Sequence, residues 1–550
     1  MEKLVPTVAV LALVGLGLSE DVSVHTNYGD VLGYRTDKSQ VFKGIPYASP
    51  PVGQLRWKNP EDPTPWSPNV YNAQKLKPGC PQKECNQTQP PMVCPNQTSE
   101  DCLFLNVWTP LSSNASSRLP VMLYIHGGNF IHMSASSILY DGEMFVKKGQ
   151  VVLVTINYRL GALGFLYTGG GEQSATGNYG IFDQRLAMKW VYENIANFGG
   201  DPTKVTLFGQ SAGAQSTMLH LMLDHSETYF RAAILESMPF GIPLKNTAEA
   251  LVLGRELSTH LDCGTLAVDL DCLRSKTADE VAEAQAKTNK QVSSLKLLEF
   301  FEPWGPIVDE REIGYQPLVA VQHGQFFKKP IMVGTTSEET FVFIHEAWHD
   351  PVNLLDYGLV VTGAFTTDAP AVLLKYPPVV GDNRGDLSRA GTEFVFSCPS
   401  RNATRNMIKH SDRNVWMYLF NHALSFPGWG PNLTFCEGHV CHGAEIPYVF
   451  QTAGLGGFQY TPDEIILSDL LIKYFTNFAS NLDPNIGQNI ELKWPKYGEG
   501  GIWPLVEFKT PASTLTTNYI EADCNFWDAI GYKGVTEGIL DRILIRPNSK

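Results

Sequence analysis

Six stretches of the chain read as apolar, β-branched runs closed by glycine or polar turns. They are VMLYIHGG from Val121, VVLVTINYR from Val151, KVTLFGQS from Lys204, RAAILESM from Arg231, PIMVGTTSEE from Pro330 and NVWMYLFNH from Asn414. Their near-continuous hydrophobicity predicts strands buried on both faces. Between them the period changes. In DQRLAMKWVYENIANFG, from Asp183, residues Leu186, Met188, Trp190, Val191 and Ile195 fall on one broad helical face, and Gly199 supplies a stop. AGAQSTMLHLML, from Ala212, continues as another helix. Strands alternating with helices predict a large, mostly parallel central sheet with helices on both faces, and chemistry gathered beyond the carboxyl ends of its strands.

The first residues follow another pattern. MEKLVPTVAVLALVGLGLSE sets Lys3 ahead of an apolar run from Val8 to Leu18, with small Gly17 and Ser19 before Glu20. This predicts a signal peptide over residues 1–19, since the run is shorter than the ~20 apolar residues of a spanning helix. No further span is expected, and the terminal LDRILIRPNSK carries neither a lipid-anchor tail nor a KDEL-type signal. The expectation is a soluble protein, secreted or held in the lumen of a secretory vesicle. Sequons at Asn86, Asn96, Asn114, Asn402 and Asn432 agree with that route. The 10 cysteines are an even number without a C-x-x-C pair, which favours disulfides over zinc. A formal net charge of -14 opposes nonspecific binding to nucleic acid or acidic lipid. The 550-residue length alone suggests several domains. The absence of a linker, repeat or low-complexity block instead predicts one domain over residues 20–550.

Two motifs compete for the chemistry. HEAWH, His345 to His349, fits the H-E-x-x-H zinc pattern. FGQSAGA, Phe208 to Ala214, sets Ser211 in a G-x-S-x-G frame between a strand and a helix, where a strained turn lifts a nucleophilic hydroxyl clear of the backbone. Such a serine needs a base, and the base needs an acid, in the chain order serine, acid, histidine. TTSEET offers Glu338 and Glu339, and CHGAEIPYVF offers His442. YIHGGNF adds Gly127, Gly128 and Asn129, whose N–H groups can join that of Ala212 around a developing oxyanion. His126 precedes that loop and reads as structural. The zinc motif lacks its context. Pro351 discourages a continuing helix, and no glutamate recurs before Glu393 as a third ligand, so no metal or cofactor is expected.

VFKGIPYASPPVGQLRW, SEDCLFLNVWTP, IHGGNF, INYRLGALGFL, GNYGIFDQRLAMKWVYENIANFGGDPTKVTLFGQSAGA, CLR from Cys272 and CHGAEIPYVF occur in order from about Val41 to Cys524. Together they closely resemble the type-B carboxylesterase/lipase family, which includes the cholinesterases. The resemblance implies an α/β-hydrolase fold and a serine carboxylic-ester hydrolase that forms an acyl-enzyme on a small-molecule or lipid ester. It makes Ser211 the nucleophile, His442 the general base and acid, and Glu339 the orienting carboxylate. The oxyanion hole maps to Gly128, Asn129 and Ala212, with Asn129 replacing the third glycine of the family's H-G-G-G.

The same resemblance pairs Cys80 with Cys102, Cys263 with Cys272 and Cys398 with Cys524. Cys85 with Cys94 and Cys436 with Cys441 are then the simplest remaining pairs. Arg56 with Glu100 and Arg159 with Asp183 look like structural ion pairs, and Trp304 falls near the acyl-pocket segment or is simply core. Gln210 stands where most relatives carry glutamate, and the Cys80–Cys102 loop holds no tryptophan. Neutral esters are therefore expected over choline esters. The competing expectation is a weak or inactive esterase-fold protein with an adhesion or storage role, which Asn129 keeps open.

Overall fold

The computed structural model describes residues 20–83, 85–292, 302–411 and 414–532. The expected signal peptide and the LDRILIRPNSK terminus lie outside them. Among the described residues, strands β1 (Asp21–Thr26), β2 (Gly29–Arg35), β3 (Ser39–Pro46), β4 (Val70–Asn72), β5 (Phe104–Pro110), β6 (Leu119–Ile125), β7 (Val152–Ile156), β8 (Gly200–Gln210) and β9 (Ala232–Glu236) enter one sheet. A short pair, β10 (Lys245–Asn246) and β11 (Ile307–Val308), stands apart. The sheet then resumes with β12 (Ile331–Thr336), β13 (Val415–Phe420), β14 (Pro504–Phe508) and β15 (Thr514–Thr517). Its order is β1-β2-β3-β5-β7-β6-β8-β9-β12-β13-β14-β15, with β4 beside β2.

From β7 to β14 every neighbouring pair is parallel; β5 joins β7 and β15 joins β14 antiparallel, and at the first edge β1, β2, β3 and β5 pair antiparallel while β4 lies parallel to β2. The six apolar runs form the middle of this sheet as β6, β7, β8, β9, β12 and β13, because both of their faces are covered. Along β6, Val121, Leu123 and Ile125 enter one core while Met122 and Tyr124 enter the other. On the first face lie the helices Tyr179–Asn194 and Ala212–His220; on the second lie Glu143–Gly149 and Pro462–Asn481. Each fully buried Val, Leu or Ile contributes roughly 1.5–3 kcal/mol, which is why both faces read as hydrophobic in sequence.

The helix expected from Asp183 begins earlier, at Tyr179, and its final turn closes on Gly199 at φ 88. Five disulfides join Cys80–Cys102, Cys85–Cys94, Cys263–Cys272, Cys398–Cys524 and Cys436–Cys441. One described segment differs from the expectation of no further span: Leu354–Lys375 is long and apolar enough, by length and composition, to cross a membrane. A 3-10 turn, Thr366–Asp368, interrupts it, and Tyr357, Val361 and Val372 pack into the core.

Candidate active site

The carboxyl end of β8 delivers Ser211 to a turn with φ 59 and ψ -123, a strained conformation for a residue with a side chain. Gly213 permits the turn, since a Cβ there would lie 1.9 Å from the carbonyl oxygen of Ile125. The Ser211 amide is anchored by donating to the Glu236 carbonyl at 2.9 Å. The helix Ala212–His220 follows at once, and its first N–H groups have no intrahelical acceptor.

Beyond β12, the fully buried Glu339 accepts from the Thr336 amide at 2.7 Å through Oε1. Its Oε2 meets His442 Nδ1 at 2.6 Å. Glu338, the neighbour most easily confused with it, points elsewhere: it meets His439 Nδ1 at 2.8 Å and accepts from the Val440 amide at 2.7 Å. The two carboxylates and the Cys436–Cys441 disulfide thus brace the loop that carries His442. Phe343 and Phe396 flank the His442 ring at 5.3 and 5.0 Å between centroids.

Ser211, His442, Gly128 and Asn129 line one cavity of ≈ 90 Å³. Gly128 and Asn129 both lie in the left-handed region, at φ 95 and φ 53. The Asn129 side chain therefore stands on a turn that glycine adopts without strain. The partner of His442 Nε2 is Gln210, whose Nε2 lies 3.0 Å away. With Nδ1 facing a carboxylate, a neutral His442 presents its lone pair at Nε2, so the Gln210 amide donates this bond.

Behind the site are two more buried carboxyls. Burial and the Glu339 carboxylate push Glu445 up to about 8. Burial and Glu445 push Glu236 well above its ordinary value. Burial thus favours the protonated form of both, and the Ser237 hydroxyl lies 3.4 Å from Glu445 Oε1.

The other sequence candidates fall outside this constellation. Burial lowers His126 to about 4, and its ring stacks on Tyr158 at 4.6 Å. Arg56 grips Glu100 at 2.7 and 2.5 Å, and Arg159 grips Asp183 at 2.7 and 2.6 Å. Trp304 is core, with Nε1 donating to Asn289 at 2.8 Å. The helix carrying HEAWH ends at Ala347, so His345 and His349 do not share a helical face, and no three metal-ligating side chains converge among the described residues. Sequence reasoning missed the Gln210–His442 bond and the Met92, Val93 and Trp429 walls of the cavity. These depend on how distant loops pack, for which the sequence holds no local signal.

The profile of the carboxylesterase family matches residues 20–362 and 375–527. The chain is 37% identical over 513 residues to the cAMP-regulated D2 protein of Dictyostelium discoideum, covering 93% of each. It is 31% identical over 545 residues to acetylcholinesterase of Bungarus fasciatus, covering 93% of this chain and 87% of that one. A thermophilic PNB esterase superposes with TM-score 0.79 at 28% identity, covering 92% of this chain and 99% of that one.

Proposed function

The chain belongs to the carboxylesterase family and has its α/β-hydrolase fold, and from that membership we propose that it is a serine carboxylic-ester hydrolase working through an acyl-enzyme. The observation that carries this reading is the 2.6 Å contact of His442 Nδ1 with Glu339, beside a Ser211 turn that lines the same cavity. Ser211 Oγ attacks the ester carbonyl carbon and gives its proton to His442 Nε2, while Glu339 holds the imidazole tautomer and stabilises its charged form. The N–H groups of Gly128, Asn129 and Ala212 stabilise the tetrahedral oxyanion. His442 then protonates the departing alcohol, and water, deprotonated by the same histidine, releases the acid.

Before attack, His442 Nε2 must exchange the Gln210 amide for Ser211. The small inner cavity favours a short acyl group. An uncharged Gln210, and a Cys80–Cys102 loop without tryptophan, favour neutral alcohols over choline. Five disulfides fit a secreted or secretory-lumen protein with residues 1–19 as its signal peptide and 20–550 as one domain.

The occupied His442 Nε2 and the side chain at Asn129 favour a second reading, a weak or inactive member with an adhesion or storage role. Turnover of short-chain chromogenic esters separates the two. Hydrolysis that disappears in Ser211→Ala supports the enzyme, and its absence in the wild type supports the second reading.

A further inference from the structure

The helix Phe341–Ala347 starts two residues after Glu339 and carries the first three residues of HEAWH. Its residues meet different surroundings. His345 engages its own helix: its Nδ1 bonds to the Phe341 carbonyl at 2.9 Å, and its ring stacks on Phe341 at 4.0 Å and Phe435 at 5.5 Å. Val342 and Glu346, one turn apart, line the cavity that holds Ser211 and His442. Glu346 also lines the outer basin, where, among the described residues, the other charged or titratable side chains are Lys83, His132 and His349. It therefore stands at the neck between them. Lys83 is engaged by Asp279 at 3.2 Å and Glu283 at 3.8 Å, and Glu346 makes no hydrogen bond or ion pair among the described residues.

A half-buried carboxyl group with no protein donor among the described residues gains from a ligand that supplies one. Burial pushes Glu346 up to about 7, so acid and carboxylate coexist near neutrality. Both forms accept a hydrogen bond, through the carbonyl oxygen of the acid or either oxygen of the carboxylate. With an acyl group in the inner cavity, the alcohol half of the ester extends outward past this neck.

On the esterase reading above, we propose that Glu346 determines specificity for the alcohol half, selecting alcohols that carry a hydrogen-bond donor, either a further hydroxyl or a protonated amine. Choline carries neither donor, so its esters gain no hydrogen bond at Glu346. The glutamate of the zinc-like motif thereby acquires a role in ester recognition.

The test compares kcat/KM for four esters of one short acid: ethyl, 2-methoxyethyl, 2-hydroxyethyl and 2-(dimethylamino)ethyl, at pH 7. The wild type should prefer the hydroxyethyl over the methoxyethyl ester by about fivefold, roughly the effect of one net hydrogen bond. The protonated amine should gain at least as much over the ethyl ester. Glu346→Leu should bring both ratios to about one. Glu346→Gln, which retains an acceptor oxygen and guards against misfolding, should keep the hydroxyl ratio and lose most of the amine ratio. Ratios unchanged in Glu346→Leu, with the ethyl ester still turned over, overturn this proposal alone. A wild type that hydrolyses none of the four esters overturns the esterase reading and this inference with it.

Discussion

At His442 Nε2, Gln210 makes the bond that ester attack requires Ser211 to make. Gln210→Leu should release the imidazole and speed labelling of Ser211 by a fluorophosphonate; slower labelling would mean the amide positions the ring productively. Gln210→Glu should narrow the gap between a choline ester and its neutral 3,3-dimethylbutyl isostere, read as a ratio of kcat/KM. At ~5 Å and an effective dielectric near 20 the added attraction is at most about 3 kcal/mol, and solvent reduces it. A wild-type preference for choline would instead assign the cation to Trp429 and Glu346, which share the cavity. Glu445 makes a separate prediction. Unfolded, it loses its proton near its ordinary 4.5; folded, it keeps it up to about 8. Between those values the folded state binds more protons, so stability from this group falls as pH rises. Glu445→Gln removes the slope, and its melting temperature relative to wild type should climb from pH 5 to pH 8; a constant difference would contradict the assignment. Chain order narrows the acid to Glu338 or Glu339 and offers His442 as the base, and the family resemblance alone chooses Glu339. The Gln210 bond and the position of Glu346 were not legible, because both depend on side chains brought together from separate segments.

Elements differ in legibility for a physical reason. β6, β7, β8, β9, β12 and β13 are buried on both faces and announce themselves as unbroken apolar runs. β1, with DVSVHT mostly open to solvent, and β15, with TLTT exposed, mix polar and apolar positions over too few residues to stand out. The helices Cys398–His410 and Glu521–Ile530 are joined by a covalent tie between distant parts of the chain. Cys398–Cys524 spans 126 residues, whereas Cys263–Cys272 spans 9. Closing the longer loop removes more freedom from the unfolded chain. Replacing Cys398 and Cys524 by alanine should cost about 2–5 kcal/mol in denaturant unfolding. The Cys263 and Cys272 double variant should lose less; equal losses would contradict a loop-length origin.

For the whole molecule, the secretory reading predicts a mature chain beginning at Glu20, readable by N-terminal sequencing after expression through a secretory pathway. Asn86, Asn96, Asn114 and Asn432 are exposed, with Asn432 Nδ2 making a 3.4 Å bond to the Asn86 carbonyl, while the half-buried Asn402 donates from Nδ2 to Asp528 at 3.0 Å. Glycosidase treatment and peptide mapping should therefore find glycan at the first four and none at Asn402. Glycan on Asn402 would require that contact to break. The central claim is that Ser211 is a nucleophile activated by His442 and Glu339, and intact-mass measurement after exposure to a fluorophosphonate tests it most directly. One adduct should form on the wild type and map to Ser211, and none should form on a folded Ser211→Ala protein. A folded wild type that takes up no adduct, or an adduct that persists in Ser211→Ala, would contradict it.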